Sequence, residues 1–356
     1  MKIRRWIVLT ILVALTLVGF LQIRAETLKP EEKDPLSGAT SLVLEKAVPE
    51  GLAFTVDGEV KQTYRFTSQT FRLMAKTRIR TFEITPGGEM MGAYIYTGVP
   101  VLHFMEGVVA QKTKKDSFFR PLDMIVVFTS ASGQTARFSY GELWMTRDDF
   151  PVTLAYVREP LNPSKEPEKY TKNKYKEGLT GLRLVCPRER DTSRYLDNVV
   201  RMTFILPATP DELLPKVNHH ADCKNLPDIQ CIEKGVAKPA VYQGIPDITF
   251  SHWFRTGHGR GIRSDQLDTA SGYHLASFLK KNFPGCGPED FFLFVGGDGY
   301  RCLFSGREIF GTDAGEAFML IRTISGKPTE SGLTIGAVTD FFLDRSVRFL
   351  THIVRL

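Results

Sequence analysis

The chain has 356 residues, 42% hydrophobic and 11% aromatic, with a formal net charge of +6. This composition supplies packed cores and excludes wholesale disorder, and the length favours two domains. Four of the 46 Lys and Arg residues (Lys2, Arg4, Arg5 and Arg24) lie within the first 25 positions, and without them 42 basic residues face 40 acidic ones. Because nucleic-acid binding usually needs a clustered basic face, we expect no nucleic-acid partner.

The N-terminus carries the clearest targeting pattern. A basic start precedes an apolar run from Trp6 to Leu21, and a polar stretch follows Ala25. We predict that residues 1–25 are a signal peptide, or an N-terminal anchor if they are not cleaved. The rest of the chain is then periplasmic or otherwise extracytoplasmic, with membrane contact only through this segment. Residues 26–50 are charged and contain proline, which is typical of a tether.

A hairpin pattern occurs twice along the chain. The first runs from Asp123 to Trp144 and the second from Asp290 to Phe310; in each, two apolar runs flank a turn containing glycine. Each hairpin then continues into Phe-Ser-x-x-Glu, at Phe138 and at Phe304, a polar-to-apolar step that could open a short helix.

Two further blocks are echoed in the same order. The first pairs Gly98-x-x-Val101-x-x-Phe104 with Gly272-x-x-Leu275-x-x-Phe278, whose spacing predicts a short helix with an apolar face. The second pairs the stretch from Arg194 to Met202 with the stretch from Arg348 to Leu356. We predict a duplicated domain: a first copy at 51–206, a Pro-rich linker at 207–239 and a shorter, divergent second copy at 240–356. Many short strands with a few short helices predict an α+β, largely β fold.

The ordered blocks of the first copy resemble a known family. The blocks are Val56-Asp57-Gly58, Tyr96-x-Gly98-Val99-Pro100, the Asp123 hairpin, Gly181 to Val185 and Arg194 to Arg201. Their order is similar to that of the molybdopterin-binding domain of sulfite-oxidase-like oxidoreductases of the small bacterial extracytoplasmic type, over residues 52–206. The resemblance implies two tandem folds of mixed sheets with short helices and a possible molybdopterin cofactor. We also expect a redox or scaffold protein partner in the periplasm.

One departure from the family concerns the metal ligand. The family holds its metal through a cysteine thiolate before the Tyr-x-Gly-Val-Pro motif, whereas the stretch from Arg78 to Gly88 has no cysteine. Thiolate ligation suits molybdenum, and neither Glu83 nor Thr85 replaces it well. The arginines placed to hold a pterin pyrophosphate are Arg78, Arg80, Arg188, Arg190 and Arg194, each of which could equally be a surface charge.

A second candidate site lies in the second copy. The stretch from Ser251 to Arg263 combines three glycines with the cationic residues His252, Arg255, His258, Arg260 and Arg263. Glycines let the backbone approach a ligand, so this loop could bind an anion such as phosphate; the plainer alternative is a flexible surface loop.

The cysteine pattern favours disulfides over a metal site. His219-His220-x-x-Cys223 fits no zinc signature, and an oxidising compartment favours disulfides. We predict a Cys223–Cys231 bridge and, as a second bridge, Cys286–Cys302, while Cys302 could instead be buried as Cys186 is expected to be.

Two hypotheses follow for the function. The first is an exported molybdopterin-binding oxidoreductase-like protein that lacks the cysteine ligand and is therefore doubtful as a catalyst. The second is a non-catalytic periplasmic binding or scaffold module that reuses the fold, with the Gly/Arg loop or the cleft between the copies as its contact surface.

Overall fold

The structure, a computed structural model, describes residues 48–114, 118–145, 150–161, 177–218, 227–255, 266–330, 332–337, 340 and 343–356. The predicted signal segment lies outside the described residues. We call residues 48–206 the first half of the molecule and residues 227–356 the second half. No helix within the described ranges is both long and apolar enough to span a membrane.

The first half contains two sheets. One has the order β2-β1-β9-β5-β6 and the other the order β3-β4-β7-β8. Strands β1 and β9 are parallel, and the remaining pairs are antiparallel. The strands are β1 (Ala53–Gly58), β2 (Tyr64–Thr67), β3 (Thr77–Ile84), β4 (Met90–Pro100), β5 (Ile125–Ser130), β6 (Thr135–Ser139), β7 (Thr153–Pro160), β8 (Glu177–Val185) and β9 (Val199–Ile205).

The second half also contains two sheets. One has the order β11-β10-β19-β14-β15, and the other the order β12-β13-β16-β17, with β18 also paired to β16. The strands are β10 (Gln230–Glu233), β11 (Val236–Pro239), β12 (Asp247–Arg255), β13 (Gln266–His274), β14 (Phe291–Gly296), β15 (Arg301–Ser305), β16 (Met319–Ile324), β17 (Lys327–Pro328), β18 (Thr334–Gly336) and β19 (Leu350–Arg355). Strands β10 and β11 lie inside the stretch predicted as linker, 207–239, so that stretch contributes two strands to this sheet.

The sheets β2-β1-β9-β5-β6 and β11-β10-β19-β14-β15 share one connection order. In each, the first strand pairs antiparallel with the second and parallel with the last, and the last pairs with a central hairpin. The remaining sheet of each half has a matching glycine: the ladder shifts just before Gly98 in β4 and just before Gly272 in β13. A Cβ on Gly98 would lie 2.2 Å from the carbonyl oxygen of Leu154, and one on Gly272 would lie 1.9 Å from that of Leu320. Glycine is therefore required at both positions.

Within the described residues, five short α-helices connect the strands. They are α1 (Ser68–Leu73), α2 (Val101–Glu106), α3 (Tyr140–Trp144), α4 (Leu275–Asn282) and α5 (Gly306–Phe310). The predicted helices at Val101 and Leu275 are present as α2 and α4, and each buries the face that its apolar spacing indicated. The serines before α3 and α5 cap these helices, since Ser139 Oγ and Ser305 Oγ accept from the backbone N–H three residues on.

The cores are aromatic and aliphatic. Strand β14 is buried at every position, as its unbroken apolar run requires, and packs with Leu303 of β15, Ile232 of β10 and Val354 of β19. The predicted fold class holds at the level of a mostly β chain with small mixed sheets and short helices. The finer prediction, two tandem sulfite-oxidase-like folds, is not shown by this architecture.

Candidate functional site: a buried charge cluster and its cleft

Helices α3 and α5 exchange hydrogen bonds across the contact between the halves. Ser139 Oγ donates to Glu308 Oε1 at 3.1 Å, and Ser305 Oγ donates to Glu142 Oε2 at 2.8 Å. Each serine also caps its own helix, so each hydroxyl serves both as the acceptor of a cap and as the donor of a contact to the other half. The repeated Phe-Ser-x-x-Glu motif therefore joins the two halves through its serine and its glutamate.

Arg194 neutralises the carboxylates of the first half. Its guanidinium pairs with Glu142 through both terminal nitrogens and with Glu189 through Nε at 2.6 Å. It also donates to the carbonyl oxygen of Arg137 and lies 3.9 Å from the ring centroid of Phe138. These contacts hold the guanidinium in one orientation inside the protein.

Arg345 has the same role in the second half. It donates to Glu308 at 2.7 Å and to both oxygens of Asp340, at 2.6 and 2.8 Å. Its side chain is 0% exposed and lies 4.4 Å from the ring centroid of Phe304. Each half therefore has an arginine stacked on the phenylalanine of its hairpin and paired with two carboxylates.

The strand ladders make Arg345, and not Arg348, the counterpart of Arg194. Asn198 and Phe349 both have a positive φ and directly precede the last strand of their half. Val199 then pairs with Ser130, and Leu350 pairs with Gly296, each beyond a register shift. Arg194 lies four residues before Asn198, and Arg345 lies four residues before Phe349, so the two arginines correspond. By the same count, Glu189 corresponds to Asp340. The alignment of Arg194 with Arg348 in the sequence is therefore wrong by three residues.

Burial governs the titration of this cluster. Two arginines face four carboxylates, so the cluster is anionic when all are ionised. Burial raises the pKa of Glu308 to about 7, with the nearby Glu142 raising it further and Arg345 partly offsetting the increase. Burial likewise raises the pKa of Glu189 and of Asp340 above the usual range, against the opposing effect of Arg194 and Arg345.

The raised pKa values predict that stability falls as pH rises. A folded-state pKa of about 7 against 4.5 for an unperturbed glutamate means that the stabilising contribution of Glu308 is complete below about pH 4.5 and is lost towards about pH 7. We expect the melting temperature to decrease between about pH 5 and about pH 7.5, and Glu308→Gln to flatten that decrease. The exposed carboxylate variant Glu289→Gln is the control. A melting temperature that rises over this interval would contradict the assignment.

A cleft opens beside the cluster, on the side of Glu189. Its volume is about 50 Å³ and it is partly open to solvent. Residues of both halves line it: apolar walls come from Val101, Leu143, Val152 and Phe318 among others, and polar groups come from Glu142, Cys186, Arg188, Glu189, Arg194, Glu308 and Thr312. Burial raises the pKa of Cys186 well above its usual value, so its side chain is a thiol and not a thiolate at neutral pH.

The five arginines predicted to bind a cofactor lie in two parts of the first half. Arg78 and Arg80 lie on β3 with exposed side chains, and Arg78 pairs with Glu159 at 3.4 Å. Arg188 and Arg194 both line the cleft. Arg190 lies nearby and pairs with Asp313 and Glu316 of the second half, at 2.8 and 3.3 Å. The grouping of these five residues as a pterin site stays a prediction, and the structure brings only the last three near one another.

The predicted anion loop falls largely outside the described residues. His258, Arg260 and Arg263 lie there, and of His252 and Arg255 only the backbone, within β12, is described. The predicted Cys286–Cys302 bridge is wrong, because both cysteines are free. Cys302 is fully buried on β15, opposite Phe294, which is the alternative that its apolar strand allowed. Cys231 is also free, and Cys223, its predicted partner, lies outside the described residues.

The residues present do not fit a metal-ligating pterin. Glu83 is buried and receives hydrogen bonds from Arg183 and Thr81, each at 3.4 Å, while Thr85 Oγ1 accepts from the backbone N–H of Glu89 in a turn. Both candidate substitutes for the missing cysteine therefore have structural partners. Within the described ranges, no three His, Cys, Asp or Glu side chains are placed to hold a metal ion together. The carboxylates of the cleft would also repel a pyrophosphate.

Sequence reasoning missed most of the cluster. It identified Ser139, Glu142, Ser305 and Glu308 only as parts of a helix start, and it did not single out Glu189, Asp340 or Arg345. The available signal was the repetition of a serine and a glutamate three residues apart in both halves, after the same apolar hairpin. A polar pair that recurs at the end of a buried strand indicates a shared polar contact as well as a cap.

Comparisons with known proteins give no family. No family model and no curated protein matches the chain. Among solved structures, the chain is similar to the crystal structure of the sulfane dehydrogenase SoxCD from Paracoccus pantotrophus, with a TM-score of 0.32 and 12% sequence identity. The similarity covers 85% of this chain and 78% of that chain. At this TM-score, the likeness carries no argument about function.

Proposed function

We propose that this chain is an exported ligand-binding protein, and that its ligand occupies the cleft between the two halves. The proposal selects the binding-module hypothesis over the molybdopterin-dependent oxidoreductase. Export rests on the basic and apolar pattern of residues 1–25. Binding rests on a cleft with apolar walls and a few convergent polar groups, which is the usual composition of small-ligand sites.

The proposal is carried by the ion pairs that the charged side chains of the cleft already form with one another. Arg194 is fully engaged by Glu142 and Glu189, and the one cysteine known to line the cleft, Cys186, is a buried thiol. A molybdopterin would need a thiolate for its metal and cationic groups for its pyrophosphate. A cleft with more carboxylates than arginines instead suits a ligand that donates hydrogen bonds.

The test is metal and pterin analysis of the exported full chain. We expect the purified, folded protein to contain neither molybdenum, tungsten nor pterin, even from a host that makes the cofactor. Near-stoichiometric metal and pterin would overturn the proposal and favour the oxidoreductase hypothesis. The protein ligand to the metal would then be identified by substituting Glu83, Thr85 and Cys186.

A further inference from the structure

The two halves differ at one pair of equivalent carboxylates. Asp340 uses both of its oxygens on Arg345, at 2.6 and 2.8 Å. Its counterpart Glu189 gives only Oε1 to Arg194, at 2.6 Å. The position three residues earlier also differs, since it is Cys186 in the first half and Ala337 in the second. The first half therefore has a longer acidic side chain, bound through one oxygen only.

The second oxygen of Glu189 is buried and faces the cleft. Within the described parts of the chain, Oε2 accepts no hydrogen bond of ordinary geometry, although the side chain is only 2% exposed and lines the cleft. The thiol of Cys186 lies beside this carboxyl but is only a weak donor. A buried carboxylate oxygen without a donor destabilises the folded protein, because its hydration is lost and not replaced. Asp340 has a hydrogen bond on each of its oxygens, whereas Glu189 keeps one buried oxygen at the cleft without one. A ligand in the cleft that donates a hydrogen bond would satisfy this oxygen.

The surroundings restrict what that donor can be. The largest electrostatic effects on Glu189 come from Arg194, Glu142 and Arg307. Arg188 and Glu308 also line the cleft. Arg194 is held by its two carboxylates, and Arg307 is paired with Asp191 and Glu289. In the cleft lining, three carboxylates (Glu142, Glu189 and Glu308) face two arginines, Arg188 and Arg194. An anionic ligand would therefore meet an excess of negative charge. A cationic donor would meet opposite charge.

The size of the cleft limits the ligand further. Its volume of about 50 Å³ takes a small polar group, roughly the space of three or four water molecules. The apolar walls, which include Val101, Val152 and Phe318, suit a hydrocarbon chain that leads from the polar end towards solvent. A quaternary ammonium has no N–H and could not donate a hydrogen bond to Glu189 Oε2.

We propose that the cleft binds a small organic cation, a primary ammonium group on a short apolar chain, which donates a hydrogen bond to Glu189 Oε2. This inference rests on the proposed function, because a cleft occupied by a pterin would not be open to it. The ammonium supplies the missing donor, offsets the excess of carboxylates and leaves the chain against the apolar walls. Glu189 is the specificity-determining residue, and Arg194 positions it through Oε1.

The experiment is a calorimetric titration of the full chain with n-butylammonium, with butan-1-ol and butanoate as ligands of similar size and different charge. We expect butylammonium to bind with a Kd on the order of 1 mM, and the alcohol and the carboxylate to bind at least about ten-fold more weakly. Affinity should decrease as pH is lowered through the raised pKa of Glu189, because the carboxyl is then neutral.

Two variants keep the test independent of folding. Glu189→Gln should weaken butylammonium binding by about ten-fold or more, while Val152→Phe should block the cleft and leave the ion pairs intact. Glu289→Gln, which removes an exposed carboxylate outside the cleft lining, is the matched control and should bind as the wild type does. Equal binding of butanoate, or unchanged binding by Glu189→Gln, would overturn the inference. Bound metal and pterin would overturn the proposed function itself. A cofactor-free protein that does not bind butylammonium would overturn this inference alone.

Discussion

Replacing Arg345 by alanine is expected to destabilise the protein by about 3–5 kcal/mol, because the substitution leaves Glu308 and Asp340 buried without their cation. The guanidinium is 0% exposed and makes three hydrogen bonds of 2.6–2.8 Å to these carboxylates. The loss should lower the melting temperature by on the order of 10 °C. Because the cluster joins the two halves, we expect both to be affected in one transition.

The matched control is Arg190→Ala. Arg190 also pairs with two carboxylates across the halves, Asp313 and Glu316, but its side chain is 46% exposed. Exposed pairs contribute about 0–1 kcal/mol, so this variant should unfold close to the wild type. The triple variant Arg345→Met, Glu308→Gln and Asp340→Asn, which removes all three charges together, should recover part of the loss. Arg345→Ala with wild-type stability by urea and thermal unfolding would contradict the buried cluster.

Alanine at Gly272 or Gly98 is expected to have an effect of similar size. A Cβ at Gly272 would lie 1.9 Å from the carbonyl oxygen of Leu320 and 2.8 Å from Cα of Ile321. Both are backbone atoms of the neighbouring strand, so the strands must separate and the ladder must break. We expect each variant to lose about 2–3 kcal/mol or more in urea unfolding.

The control for this prediction is Gly87→Ala. Its Cβ would find only Thr85 Oγ1, at 3.7 Å, which is an ordinary contact. Its free energy of unfolding should stay within about 0.5 kcal/mol of the wild type. If Gly98→Ala and Gly272→Ala behaved as Gly87→Ala does, the close approach of β4 to β7 and of β13 to β16 would be wrong.

Local patterns in the sequence were enough to predict several elements. The apolar spacing after Gly98 and Gly272 predicted α2 and α4, and the runs around Gly133 and Gly299 predicted the hairpins β5–β6 and β14–β15. These elements depend on the spacing of apolar residues and on the turn residues within fewer than about 25 positions. Both can be recognised in the amino-acid sequence.

The charge cluster could not be read in the same way. Arg194-Tyr-Leu and Arg348-Phe-Leu look alike as letters, yet Arg345 is the residue that stacks on Phe304 and pairs with Glu308. Which arginine enters the interior is decided by carboxylates far away along the chain, as in the contact of Ser139 with Glu308, 169 positions apart. A disulfide between Cys286 and Cys302 failed for a related reason, since the inward direction of Cys302 on β15 is set by the sheet and its packing.

Whether the protein carries a molybdopterin is decided by quantifying molybdenum, tungsten and pterin in the full chain, exported from a host that makes the cofactor. A sulfite-oxidase-like enzyme exported from the same host serves as the positive control for cofactor supply. We expect a folded protein with neither metal nor pterin, because Arg194 is paired with Glu142 and Glu189 and Cys186 is a buried thiol. Metal and pterin near one equivalent per chain would contradict it.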